Sequence, residues 1–322
     1  MKTILTGGAG FIGSCILAKL NSEGVDDIYV VDELGSTEKW RNLEGKNFAD
    51  YFEKNAFLEM LESGRLGASF DRIIHMGAAA STTETDAAFL TENNYRYSRR
   101  ICEWALAKKI PFLYASSAAT YGDGSKGYSD SDKVSVTLRP LNMYGYSKQM
   151  FDLWLIRSKL SNKVTGFKFF NVFGPNEYHK GDMMSLACKA FDTVERGEPM
   201  RLFKSYRPDF PDGGQKRDFV YVKDAVEIVD FFVKHPAKKG IYNVGSGNAR
   251  TWNDLAAGLF AAVNKECRIQ YIEMPGAIRD KYQYFTEADL TKLRAAGCRH
   301  VMRTLEDAIK DYAKYLQGRL YI

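Results

Sequence analysis

No stretch of this 322-residue sequence stays apolar long enough to span a bilayer, and glycines break the N-terminal MKTILTGGAGFIGS within a few residues. Membrane insertion is therefore not expected, and a cytoplasmic location is. Five cysteines, Cys15, Cys102, Cys188, Cys267 and Cys298, lie far apart with no CxxC pair. Their odd number cannot be fully paired within one chain, which favours a reducing compartment. The four histidines, His75, His179, His235 and His300, are equally scattered, so no zinc-type spacing exists and no metal is expected. There is no run of five Lys/Arg, and a formal charge of +5 is small for the length. A nucleic-acid partner gains no support from it, whereas small anionic ligands remain compatible. Internal repeats and low-complexity linkers are missing too.

What is present is the composition of a globular protein, 45% apolar and 26% charged. The length suits two fused units sharing a core. The first thirty residues set a local order: KTILT reads as a short buried strand, GGAGFIG as a tight turn opening a helix, SCILAKLNSEG as that helix ending at Gly24, and IYVVDE as a second strand. Gly7, Gly10 and Gly13 would serve a tight turn, room for a pyrophosphate and close helix-sheet packing. The helix N-terminus would then face phosphates with unpaired N–H groups. Asp32 closes the second strand, where a carboxylate can accept from an adenosine ribose. A dinucleotide ligand follows. Lys39, Arg41 and Lys54 beyond that strand would neutralise a 2'-phosphate, while Glu33 opposes one, so NADP and NAD both stay open at this point.

The alternation continues. FDRIIHMGAAA (70–80) is a strand running into small residues, 93–109 a helix with Asn93 as its candidate cap, and IPFLYASSAATYG (110–122) a strand ending in hydroxyls. Parallel strands with helical crossovers bring such ends to one sheet edge, where ligands bind. Gly77, Ala78, Ala79 and Ala80 would let a cofactor lie close to the backbone. In YGYSK, Tyr144 and Lys148 share a helical face. An ammonium beside a phenol favours the phenolate and would lower the Tyr144 pKa, with Ser117 bonding a substrate hydroxyl. Taken alone, YxxxK also fits a packed tyrosine and a snorkelling lysine.

TGGAGFIGS, YASSAATYG and YGYSK together resemble the extended short-chain dehydrogenase/reductases, a family of nucleotide-sugar epimerases, dehydratases and reductases. Further segments, among them NNYRYS, FFNVFGPNEYHKG, RDFVYVKD and YQYFTEADLTKLRAAG, are similar to the ADP-L-glycero-D-manno-heptose 6-epimerases within it, across nearly the whole chain. The resemblance implies an α/β fold, a Rossmann-type doubly wound parallel sheet with a smaller mixed C-terminal substrate domain. It divides the chain into 1–172 with 216–248 for the cofactor and 173–215 with 249–322 for the substrate. It implies NADP, or NAD, taking hydride from C6 of an ADP-heptose and returning it to the opposite face, in the supply of lipopolysaccharide inner-core heptose. A homo-oligomer, pentameric by resemblance, goes with it.

By motif the resemblance assigns Tyr144, Lys148 and Ser117 to catalysis and adds Lys180, of HKG, as a second base. Lys180 must then have either a lowered pKa or a neighbour with which to exchange a proton to work at neutral pH. Implied cofactor contacts are Gly7, Gly10, Phe11, Ile12, Gly13, Asp32, Glu33, Lys39, Lys54, Met76, Gly77, Ala78, Ala79, Ala80, Asn93, Lys148 and Val172. Implied substrate contacts are Ser117, Asn171, Asp182, Lys189, Phe203, Lys204, Ser205, Tyr206, Arg217 and Tyr282, with Arg217 suited to clamping a diphosphate. The sequence departs from the family in having Glu33 for an Asn, Asp182 and Lys189 for a Ser and a His, and a longer loop at 204–216. A C4 epimerase would need Tyr144 but not Lys180. A dehydratase would want an acid pair where Ala118, Ala119 and Thr120 stand. A catalytically silent dinucleotide-binding protein would have no use for Ser117, Tyr144 and Lys148 together.

Overall fold

A computed structural model describes residues 1–67, 69–279 and 282–322, with the backbone alone at 277 and 278. Its frame is a seven-stranded sheet of β1 (Thr3–Thr6), β2 (Ile28–Asp32), β3 (Asp50–Glu53), β4 (Arg72–His75), β5 (Phe112–Ser117), β6 (Thr165–Phe169) and β10 (Gly240–Val244). The order is β10-β6-β5-β4-β1-β2-β3, and each pairing is parallel. Parallel sheets need both faces covered, which is why β1, β4, β6 and β10 are buried at every position. Helices α1 (Phe11–Ser22) and α6 (Val222–Lys234) cover one face, packing Leu17, Val226 and Phe232 on Leu5 and Phe167. Helices α2 (Lys54–Glu62), α3 (Tyr97–Ala107) and α4 (Met143–Arg157) cover the other through Phe57, Ile101 and Phe151. The doubly wound arrangement expected from the sequence is thus observed.

The smaller mixed part holds two short sheets. In one, β7 (Asn171–Phe173) runs parallel and β11 (Ala249–Thr251) antiparallel to β9 (Lys216–Tyr221); in the other, β8 (Met200–Phe203) pairs with β12 (Ile269–Ile272). Helices α5 (Leu186–Glu195), α7 (Trp252–Ala262) and α8 (Leu305–Gly318) enclose a separate core of Phe191, Leu202, Phe219, Leu259 and Tyr312. Among the described residues no helix is long and apolar enough to cross a membrane.

One expectation is corrected. Asn93 does not cap a helix: the helical stretch begins at Ala87 behind Asp86, whose side chain accepts from Phe89 N, and passes through a π-helical segment, Thr91–Arg96. Asn93 lies inside it and accepts from Lys54 Nζ at 3.0 Å. Aspartate is as good a cap as asparagine, and Asp86 comes first along the chain.

A buried ion pair fixes the strand ends that matter. Lys168 of β6 and Asp152 of α4 meet at 2.9 Å with both side chains fully buried. Asp152 also accepts from the Tyr114 and Ser116 hydroxyls of β5, each at 2.8 Å, and Lys168 donates to Thr120 at 2.8 Å. Removing one partner leaves a buried charge uncompensated. Lys168→Met should therefore lose about 3–5 kcal/mol of unfolding free energy, read by urea denaturation, and a loss under about 1 kcal/mol would contradict this account.

Candidate active site

The turn after β1 comes so close to the segment after β4 that Gly7 could not carry a side chain there. Gly7 has φ +68°, and a Cβ on it would lie 2.5 Å from Gly77 N; a Cβ on Gly13 would lie 2.0 Å from Gly7 O. Gly10 then precedes α1 without a side-chain cap, leaving the first-turn N–H groups free of a side-chain acceptor. A groove of about 300 Å³ passes over them, lined by Gly10, Ile12, Met76, Ala80, Tyr144 and Lys148. It continues into a smaller cavity of about 120 Å³ bounded by Asp32, Glu33, Lys54, Ala79 and Asn93. These features fit a dinucleotide: glycine cradle and helix N-terminus for the pyrophosphate, and a carboxylate at the end of β2 for a ribose.

At that far end charges are paired. Lys39 Nζ bonds Asp32 Oδ1, whose partner oxygen accepts from Ala9 N at 2.8 Å. Lys54 Nζ bonds Glu33 and also Asn93. The two lysines and two carboxylates leave this end close to neutral.

At the near end Asn142 caps α4, its Oδ1 accepting from Gly145 N at 2.8 Å. A Cβ on Gly145 would stand 2.7 Å from Ala119 O, so only glycine lets the first turn of α4 press on the turn after β5. That approach puts Tyr144 beside Ser117. Lys148, one turn on and buried, donates to Ala115 O at 2.9 Å. Burial pushes its pKa down to about 8, against the opposing charge of Asp152. Here the structure reverses an expectation: burial raises the Tyr144 pKa, and the influence that opposes it is the neighbouring Ser117 side chain. The Lys148 ammonium is spent on the Ala115 carbonyl rather than on the phenol.

Lys180 sits in a 3₁₀ turn, Tyr178–Met183, over the Phe11 ring at 5.0 Å from its centroid. Its Nζ is 3.9 Å from Glu177. Burial lowers its pKa, with Glu177 pulling the other way, so the demand placed on this lysine by sequence is met in direction. The loop is held from outside as well: Tyr178 donates to Leu320 O at 3.0 Å and Ile322 N donates to Asn176 Oδ1 at 2.9 Å.

A second cavity, about 570 Å³, opens from the same place. Ser117, Tyr144, Val172 and Lys180 line both the groove and this cavity. Its charged lining consists of Lys180, Lys189 and Arg201, with no carboxylate among the described residues. Asn171, Phe203 and Tyr282 also line it. Arg217 lies buried behind, its guanidinium 4.9 Å from the Tyr282 ring centroid and 5.7 Å from that of Trp252.

The profile of the NAD dependent epimerase/dehydratase family matches residues 3–245. An ADP-L-glycero-D-manno-heptose-6-epimerase of Nitratidesulfovibrio vulgaris strain DP4 is 52% identical over 311 residues, covering 97% of this chain and 96% of its own. One from Fusobacterium nucleatum is 44% identical over 320 residues, 97% and 96% of the two chains. The crystal structure of the Helicobacter pylori enzyme of that name superposes with a TM-score of 0.81 at 27% identity, over 98% and 96%. The chain belongs to the NAD-dependent epimerases, in the ADP-L-glycero-D-manno-heptose 6-epimerase family.

Not every residue assigned from sequence joins the epimerase site. Lys204 and Tyr206 turn to Glu273 on the outer surface, and Ser205 bonds Asp212 and Arg207. Asp182 is exposed, and its carbonyl accepts from Lys189 Nζ at 3.1 Å. Only Ser205 is satisfied within the longer loop at 204–216; Lys204 and Tyr206 are drawn out of it by Glu273, which follows β12. Conversely, sequence reasoning passed over His179 and Met183, which line the groove, and Arg201 and Trp252, which line the second cavity. His179 adjoins Lys180 in the HKG motif, a signal that was available.

The glycine cradle yields a test. Gly13→Ala should expel bound nicotinamide dinucleotide, to below about a tenth of the wild-type content released on denaturation, with far-UV circular dichroism nearly unchanged. Full cofactor retention would remove the close approach of α1 to Gly7 as the reason for glycine here.

Proposed function

We propose that the epimerase inverts C6 of an ADP-glycero-manno-heptose with Lys180 and Tyr144 moving protons on opposite faces of that carbon. The observation that carries this is the shared wall: Ser117, Tyr144 and Lys180 border the dinucleotide groove and the cationic cavity at once. A nicotinamide bound in the groove supplies a hydride acceptor that returns the same hydride. Everything else falls to the chain. Lys180, its pKa lowered by burial, is suited to take the C6 hydroxyl proton; Tyr144, its pKa raised, is suited to give one to the carbonyl oxygen of the transient ketone. In the reverse direction the roles exchange. Ser117 would bond the reacting oxygen beside Tyr144, and Lys148, already bonded to Ala115 O, would hold the nicotinamide ribose. Lys180, Lys189 and Arg201, with Arg217 behind Tyr282, supply the positive field for the diphosphate.

NADP is the proposed cofactor, with Lys39 and Lys54 turning to the 2'-phosphate. The pairing of Lys54 with Glu33 supports a second reading, NAD. Mass and absorbance analysis of ligand released from denatured protein distinguishes them, and NAD alone would overturn the first. A cytoplasmic homo-oligomer completes the proposal.

With ADP-D-glycero-D-manno-heptose and C6 configuration followed by NMR, Tyr144→Phe and Lys180→Met should each cut kcat about 10²-fold or more while keeping cofactor. An undiminished rate in Lys180→Met, or wild type that inverts C4 of a hexose nucleotide and leaves C6 alone, would sink the two-base reading.

A further inference from the structure

The carboxylate nearest Lys180 has more contacts than a loop residue needs. Glu177 is fully buried. Its Oε1 accepts from Gly174 N at 3.1 Å, Ser185 Oγ at 2.7 Å and Tyr312 OH at 3.1 Å, and its Oε2 accepts from Ser185 N at 2.6 Å. Ser185 caps α5, Tyr312 belongs to α8, and Gly174 follows β7, so one side chain ties three elements to the loop of Lys180. Oε2 also faces Lys180 Nζ at 3.9 Å.

We propose that Glu177 is a positioning residue for the second base: it fixes the loop carrying Lys180 and stabilises the ammonium formed when Lys180 takes a proton from substrate. This rests on the two-base reading. The step balances simply. The substrate O–H bond breaks, an N–H bond forms on Lys180 Nζ, and the new cation lies against a carboxylate that keeps its own charge. Without that carboxylate the cation would form in a partly dry wall of the cavity with little to offset it.

The other groups around the pair do not supply the same charge. Lys180 is faced by His179 on its own loop and by Cys188 and Lys189 of α5; Lys189 opposes a cation. Glu177 is faced by Tyr312 of α8, Cys188 of α5, Cys15 of α1 and Tyr178 of its own loop. Burial lifts the pKa of Tyr312, Tyr178 and both cysteines, which keeps each protonated and neutral at pH 7. Glu177 is the one anion facing this lysine among the described residues.

The test is the pH dependence of kcat for the cofactor-loaded enzyme. In Glu177→Gln the limb that follows Lys180 should move to lower pH by about one unit or more, and the plateau should fall about tenfold as the base weakens. Tyr312→Phe removes a hydroxyl from Glu177 but no charge and should leave that limb in place. Should the glutamine variant fail to fold, Glu177→Asp keeps the charge, withdraws it from Lys180 and should move the limb the same way by less. A limb unmoved in the folded variants, or moved upward, overturns the assignment. If Lys180→Met is inactive while the Glu177 variants leave the limb in place, only this assignment falls; if Lys180→Met is fully active, the two-base reading falls first.

Discussion

The close approach of Gly7 to Gly77 is the constraint from which the rest of the site descends. Two parallel strands end side by side there with their turns in backbone contact, since a Cβ on Gly7 would sit 2.5 Å from Gly77 N. Because that space is empty of side chains, the N-terminus of α1 opens onto a groove rather than onto a packed wall. The groove then runs along the carboxyl ends of β1, β4 and β5, the edge on which parallel sheets bind ligands. A dinucleotide stretched along it has its reactive end delivered to β5 and α4 by sheet order alone.

What it meets there depends on burial of polar groups more than on apolar packing. The Lys168–Asp152 pair stitches β6 to α4 and, through Tyr114 and Ser116, both to β5. Such a pair gains little over an apolar core of equal volume, but breaking it would leave a buried charge unpaired at the point where the three elements meet. The same Asp152 opposes the burial that draws the Lys148 pKa down to about 8. Desolvation wins on Lys148, on Tyr144 and on Lys180 alike, but it acts in opposite directions on phenol and ammonium. One dry junction therefore shifts groups whose reference pKa values lie close together in opposite directions, as the proposed acid and base require.

Much of this was legible in the sequence, for local reasons. The alternation of strand and helix, the glycine turn and the Tyr144–Lys148 spacing are all properties of short windows, and the doubly wound sheet follows from them. Asn93 shows the limit of a local signal, because an equally good cap, Asp86, stands upstream and the helix took it. The sign of the Tyr144 shift is not legible locally, since spacing gives the distance to Lys148 along a helix but not where the ammonium points, which is at Ala115 O. Lys180 had no periodic context and came only from a family resemblance. Arg201 meets the other cavity residues only through elements far along the chain, and Glu177 adds to its local partners a hydroxyl from Tyr312 at the far end, so no short window contains either environment; His179 alone stands beside a motif already read.

That last group also explains why the substrate part of the molecule matters to the chemistry and not just to recognition. Tyr144 stands on a helix of the main sheet, whereas the loop of Lys180 hangs from α5, from α8 and from the strand β7, which belongs to a different sheet. The two groups proposed to move protons thus arrive from separate parts of the fold, and the cavity that both line is also lined by Lys189, Trp252 and Tyr282. In the proposed reaction a diphosphate held by Lys189 would bear on α5, the helix whose cap Ser185 bonds Glu177 beside Lys180. Binding energy far from the reacting carbon can then be used to set the distance between base and acid, which is the term that positional catalysis rewards most steeply.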